Sequence, residues 1–163
     1  MLSRRLFLAG SVAGGLAAPN TARAQAVMTD DGFYREPWFL DSLLELPDDL
    51  AAAGENKKRF AIMWELRGCP YCRETHLVNF AKPEITSYIR ERFEILQLNI
   101  IGSREVTDFD GEKLTEKQFA RKYTVRGVPV FQFFPDSAAG LGKKAPRDRE
   151  VARGQASEQQ AAR

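Results

Sequence analysis

The segment Arg59–Leu66 runs almost directly into Cys69-Pro70-Tyr71-Cys72, and this junction limits the fold more than any other feature of the chain. Phe60, Ile62 and Trp64 alternate with Ala61 and Met63, so the segment is apolar on both faces. Such a strand belongs in the middle of a covered sheet. Pro70 suits a first helical turn, where its missing N–H has no partner to lose. Cys69 then stands at a helix mouth, where the partial positive charge of the macrodipole favours a thiolate. A second thiol one turn behind it gives a pair that can exchange disulfides. Cys69 and Cys72 are the only cysteines, and His76 is the only histidine. That is too few ligands for a zinc site of the usual kind, so no metal and no cofactor is expected. A bridge this short closes very little chain, so the pair reads as redox-active rather than structural.

The chain opens Met1-Leu2-Ser3-Arg4-Arg5-Leu6-Phe7-Leu8, continues apolar to Ala18, and reaches Ala22-Arg23-Ala24. A basic start, an apolar run and a small-residue site are the parts of a secretory signal. The apolar run is too short to span a bilayer. Ser3–Leu8 also resembles a twin-arginine signal, and both export routes stay open. Cleavage after Ala24 is expected, giving a periplasmic protein with no stable membrane anchor. The 24 basic and 22 acidic residues become 21 and 22 once Arg4, Arg5 and Arg23 leave with the signal. With a near-balanced charge and no basic–aromatic stripe, nucleic acid is not an expected partner.

Residues 25–153 are read as one domain and 154–163 as a disordered polar tail. Trp38–Leu46 has helical apolar spacing interrupted by Pro47, and Asp48–Ala53 reads as a further turn capped by Gly54. A helix from Pro70 to about Phe80 has Leu77, Val78 and Phe80 as core candidates. Pro83 restarts a helix through Ile85, Tyr88 and Ile89. Phe93–Ile100 alternates as a second strand, expected parallel to the first. Gly102–Gly111 reads as a polar loop. Thr115 and Gln118 have capping-box spacing at the start of a helix carrying Phe119 and Tyr123. Val128–Phe134 is a third strand entered through Pro129, and Arg149–Arg153 a short fourth.

Cys-x-x-C at a strand-to-helix turn, together with Gly127-Val128-Pro129 ahead of a later strand, resembles the thioredoxin fold. The strings Met63–Phe80, Leu96–Gly102 and Phe131–Pro135 are similar to SoxW-type periplasmic thioredoxins, which are associated with bacterial sulfur oxidation. The resemblance implies an α/β fold with a central mixed sheet flanked by helices. It also implies a cis Val128–Pro129 bond facing the cysteines. There Pro70, Tyr71, Val128 and Pro129 would meet an extended substrate segment. Two departures stand out. Thioredoxin carries a buried aspartate six residues before its first cysteine, and Met63 occupies that place. Glu65, on the same strand face, is read as a surface carboxylate, with a substitute acceptor as the alternative. The C-terminal helix that closes the fold is also missing, since Gly154–Arg163 holds no aromatic or branched apolar residue. That would leave one sheet face partly bare unless Trp38–Leu46 covers it, or make the chain a truncated remnant.

Cys69 is expected to attack a substrate disulfide and Cys72 to resolve the mixed disulfide. Arg67 and Arg73 flank the pair and are candidates for favouring its thiolate. His76 is read as a partly exposed helix residue, with a proton shuttle to Cys72 as the alternative. The expected function is reduction of periplasmic protein disulfides, with re-reduction by a membrane thiol donor. The resemblance suggests Sox carrier proteins as substrates. An oxidase or isomerase of the same fold, and a copper-binding module built from Cys69, Cys72 and His76, remain open.

Overall fold

The computed structural model describes residues 25–135, Leu141 and residues 152–155. The expected signal segment 1–24 lies outside the described residues, and so does 156–163, on which the expected absence of a closing helix falls. In chain order the elements are β1 (Val27–Met28), β2 (Tyr34–Arg35), α1 (Leu46–Glu55), β3 (Arg59–Glu65) and α2 (Pro70–Glu74). A π-turn (Thr75–Asn79) follows, then α3 (Pro83–Arg92), β4 (Phe93–Asn99), β5 (Glu105–Thr107) and β6 (Lys113–Thr115). The last are α4 (Glu116–Lys122), β7 (Val130–Phe133) and β8 (Ala152–Gln155).

The central sheet has the order β4-β3-β7-β8, with β3 and β4 parallel and the other neighbours antiparallel. It is the mixed sheet expected from the sequence. β3 is buried along its length beyond Arg59, as its two apolar faces require. Phe60, Ile62 and Trp64 enter one core with Leu46, Leu50, Phe119 and Tyr123 from α1 and α4 and the residue after it. Ala61 and Met63 enter the other, with Phe39, Phe80 and Ile95 and with Ile85 and Ile89 of α3 at its margin. Fully burying side chains of this size stabilises by about 1.5–3 kcal/mol each.

Several expectations are corrected. Trp38–Glu45 is not helical, because Pro47 sits in the first turn of α1 and opens that helix rather than interrupting an earlier one. Gly54 lies inside α1, which is capped by Asn56. Trp38 and Phe39 do reach the second core, where they pack edge-on against each other and against Phe80. The loop 102–111 contains β5, paired with β6. β8 includes Gly154 and Gln155, so the backbone is strand two residues past the expected edge of the domain. The Thr115–Gln118 capping box forms as read: Gln118 N–H donates to Thr115 Oγ1 at 3.3 Å and Thr115 N–H to Gln118 Oε1 at 2.8 Å.

The helix after Cys69 departs most from its expected form. It starts as α-helix, but Phe80 N–H donates to Thr75 O five residues back, at 2.9 Å. That wide turn shifts the phase of the buried face. Leu77 and Val78 are exposed instead of core, while Thr75, His76, Asn79 and Phe80 are buried.

Candidate active site

The dithiol sits where β3 leaves the sheet. Gly68 turns the chain with φ of +79°, a left-handed conformation that favours glycine. Cys69 follows as the N-cap of α2, and its Sγ accepts the Cys72 N–H at 3.2 Å. Both cysteines are free thiols. Cys69 is half-buried and Cys72 is buried behind it. Burial pushes the Cys72 thiol well above the ordinary range, and the hydrogen bond to Cys69 and the nearby Glu65 carboxylate add to this.

A groove of about 320 Å³ runs past the pair. The hairpin residues Met28, Phe33 and Tyr34 line one side, Cys69, Cys72 and Arg73 the other, and Glu65 and His76 also border it. Tyr71 is exposed beside Cys69, and Pro70 is exposed with it. Arg67 is exposed, and its side chain lies over the backbone of Gly32, where an added Cβ would stand 2.7 Å from Arg67 Cδ. Val128–Pro129 is a cis peptide. Because Trp64 pairs with Val130, Pro129 stands at the end of the sheet from which the Cys69 turn departs.

Two residues lie elsewhere than the sequence suggested. Glu65 is not a surface carboxylate: it is 1% exposed. His76 is not a partly exposed helix residue: it is 2% exposed. His76 Nε2–H donates to Glu65 Oε1 at 2.8 Å and Nδ1–H to Glu36 Oε1 at 3.0 Å. Glu65 also receives Gln97 Nε2–H on Oε2, and the same amide donates to Tyr34 O at 2.7 Å. A carboxylate only accepts, so both ring nitrogens must donate and His76 is an imidazolium. Burial opposes that charge, but the bonds to Glu36 and Glu65 outweigh it and hold the ring at about 9. With both nitrogens engaged, the copper arrangement lacks a free imidazole ligand.

Glu36 was missed from sequence because nothing local marks it. It stands 40 residues before His76 and follows the β1–β2 hairpin, which pairs only with itself in the sheet ladders of the described residues.

The fold and the dithiol together define a thioredoxin-fold thiol–disulfide oxidoreductase. A family model described as a thioredoxin-like domain matches residues 46–143, and the chain belongs to that family. The matched span includes Cys69, Cys72, His76 and Pro129 but not the hairpin or Glu36. Among solved structures, the chain is similar to a thioredoxin-fold protein from Helicobacter pylori at 19% identity and a TM-score of 0.43. That match covers 57% of this chain and 74% of the other. A disulphide isomerase from Xylella fastidiosa Temecula1 is similar at 15% identity and a TM-score of 0.43, over 68% of this chain and 88% of that one. No curated protein matches the chain.

Proposed function

We propose that this chain is an exported reductase of protein disulfides, working in the periplasm on the partners of a SoxW-like thioredoxin. Cys69 thiolate attacks one sulfur of a substrate disulfide, forming a mixed disulfide and releasing the first substrate thiolate. Cys72 loses its proton and attacks the Cys69 sulfur. The Cys69–Cys72 disulfide forms as the second substrate thiolate leaves and takes up a proton. The substrate gains two electrons and the cysteine pair loses two. A membrane thiol donor then restores the dithiol, and Sox carrier proteins are the substrates that the sequence resemblance favours.

One observation carries the reducing direction. Oxidants of this fold draw their power from a reduced form stabilised as thiolate. Here burial first, and then the hydrogen bond to Cys69 and the Glu65 carboxylate that borders the same groove, hold Cys72 toward its protonated form. That opposes the device an oxidant needs. Titrating residues 25–163 against a glutathione buffer tests it. A potential near that of thioredoxin, about −270 mV, fits a reductase, and one near −120 mV, about that of the strong periplasmic oxidant, removes the proposal. Cys69→Ser should abolish insulin reduction, while Cys72→Ser should retain attack and accumulate mixed disulfide.

A further inference from the structure

The β1–β2 hairpin pairs only with itself in the sheet ladders of the described residues, yet it is firmly fixed to the domain. Its turn is closed internally, with Thr29 N–H donating to Phe33 O at 2.8 Å and Gly32 N–H to Thr29 O at 2.9 Å. Gln97 Nε2–H donates to Tyr34 O at 2.7 Å and ties β2 to β4. The Arg67 side chain lies over Gly32, and just beyond the hairpin Leu40 N–H donates to Ile95 O at 2.8 Å. The hairpin is thus ordered before any ligand arrives, and binding against it needs little further ordering. Met28 and Tyr34 are cross-strand partners, so their side chains share one face, and both line the dithiol groove. Met28 is 53% exposed although it is long and apolar. Phe33 and Leu66 extend the same apolar lining. Glu65 and His76 border the groove but are buried in their own ion pair, which leaves Arg73 as the exposed charge in its lining.

We infer that this hairpin is a specificity wall: among extended polypeptide segments that carry a disulfide, it selects those with a large apolar residue next to the cysteine. A segment whose sulfur reaches Cys69 lies along the groove, because Cys69 forms one side of it. Successive residues of an extended chain advance by only about 3.3 Å, so the neighbours of that cysteine fall against Met28, Phe33 and Tyr34. A leucine or phenylalanine there takes its own surface and that of the wall out of water. The unbranched Met28 thioether adapts to side chains of different shape, so the wall reads size and apolarity rather than one residue type. A glycine leaves the wall wet, and a lysine loses water without gaining a partner and meets Arg73. This rests on the oxidoreductase chemistry proposed above and names the substrate class of that same site. The hairpin precedes residues 46–143, the span matched by the thioredoxin-like family model, so the selection comes from residues outside that span.

The test uses reduced protein and short peptides whose single cysteine is joined by a disulfide to nitrothiobenzoate. Both neighbours of that cysteine are leucine in one peptide, glycine in the second and lysine in the third. Nitrothiolate is the better leaving group, so Cys69 attacks the peptide sulfur and the coloured thiolate is released. Each rate is divided by that of glutathione with the same peptide, which removes differences in intrinsic disulfide reactivity. The parent protein should prefer the leucine peptide over the other two by about tenfold or more, the discrimination an apolar wall supplies. Met28→Asp should cut that preference at least about threefold, with the lysine peptide gaining on the leucine one. Met28 is exposed, so the substitution spares the fold, and Met28→Gln, which keeps the side chain's length, gives a second reading in the same direction. A smaller preference in the parent overturns the inference. So does a preference that both variants leave intact, which would place the selection on Tyr71 and the dithiol side of the groove. Absence of nitrothiolate release from every peptide with the parent would instead sink the oxidoreductase reading.

Discussion

His76 Nε2 stands 2.8 Å from Glu65 Oε1, joining the π-turn to the end of β3, while Nδ1 reaches Glu36 at 3.0 Å. This buried ion triplet makes stability depend on pH. Unfolded, the ring titrates near 6.5; folded, the bonds to Glu36 and Glu65 overcome the opposing effect of burial and raise it to about 9. The folded state therefore holds the proton more tightly. The stabilisation is complete below about pH 6.5 and is lost as pH rises through about 9. The shift corresponds to a contribution of order 3 kcal/mol. Urea unfolding at several pH values should show this decline in the parent protein and a flatter profile in His76→Gln. An equally flat parent profile contradicts it.

Alkylation should separate the two thiols. Cys69 is half-buried at the helix mouth, whereas Cys72 is 5% exposed and its thiol is held protonated by burial. Reduced protein treated briefly with iodoacetamide at neutral pH should take up one label, on Cys69. Peptide mapping by mass spectrometry reads the site, and labelling of Cys72 first would refute the asymmetry.

Gly102 is required by a neighbour rather than by its own backbone. A Cβ there would overlap Glu116 Oε2 and come within 3.0 Å of Asn99 Cβ. Glu116 is 2% exposed, and its carboxylate accepts from Asn99 N–H at 2.8 Å and from Arg104 Nη2 at 2.7 Å. Gly102→Ala should destabilise by about 1–3 kcal/mol, the usual cost of overpacking. Gly102 lies three residues past Asn99, which pairs with Glu65, so redox activity measured beside stability reads whether the strain reaches the dithiol end of the sheet. Unchanged thermal stability would show that Glu116 moves freely.

The phase of the π-turn has its own signature. Val78→Ser should stay within about 0.5 kcal/mol of the parent, because Val78 is 50% exposed. Phe80→Ala should cost about 3–5 kcal/mol, since Phe80 is buried among Trp38, Phe39, His76 and Phe131. Comparable losses in the two variants would mean a regular α-helix instead.

The parts of the fold that were legible rest on short-range physics. The doubly apolar β3, the proline-led starts of α2 and α3, and the Thr115 cap each follow from residues within one or two turns of each other. Leu77 and Val78 were misplaced because a single wide turn changes which side chains face inward, and no residue type announces it. β5 was read as loop because a three-residue strand leaves too short a pattern to count.

The sequence by itself determined the dithiol, its place at a helix mouth, the strand behind it and the proline that opens β7. These depend on spacing and on local backbone preference. Only the tertiary structure decided that Glu65 and His76 are buried and that Glu36 completes their charge balance. Glu36 and His76 are 40 residues apart, and their pairing is fixed by the docking of the N-terminal hairpin region against the π-turn and β4. A lone histidine and two glutamates look like surface residues in a sequence. They become a buried ion triplet only when the fold removes water and sets these charges, with the Gln97 amide, against one another.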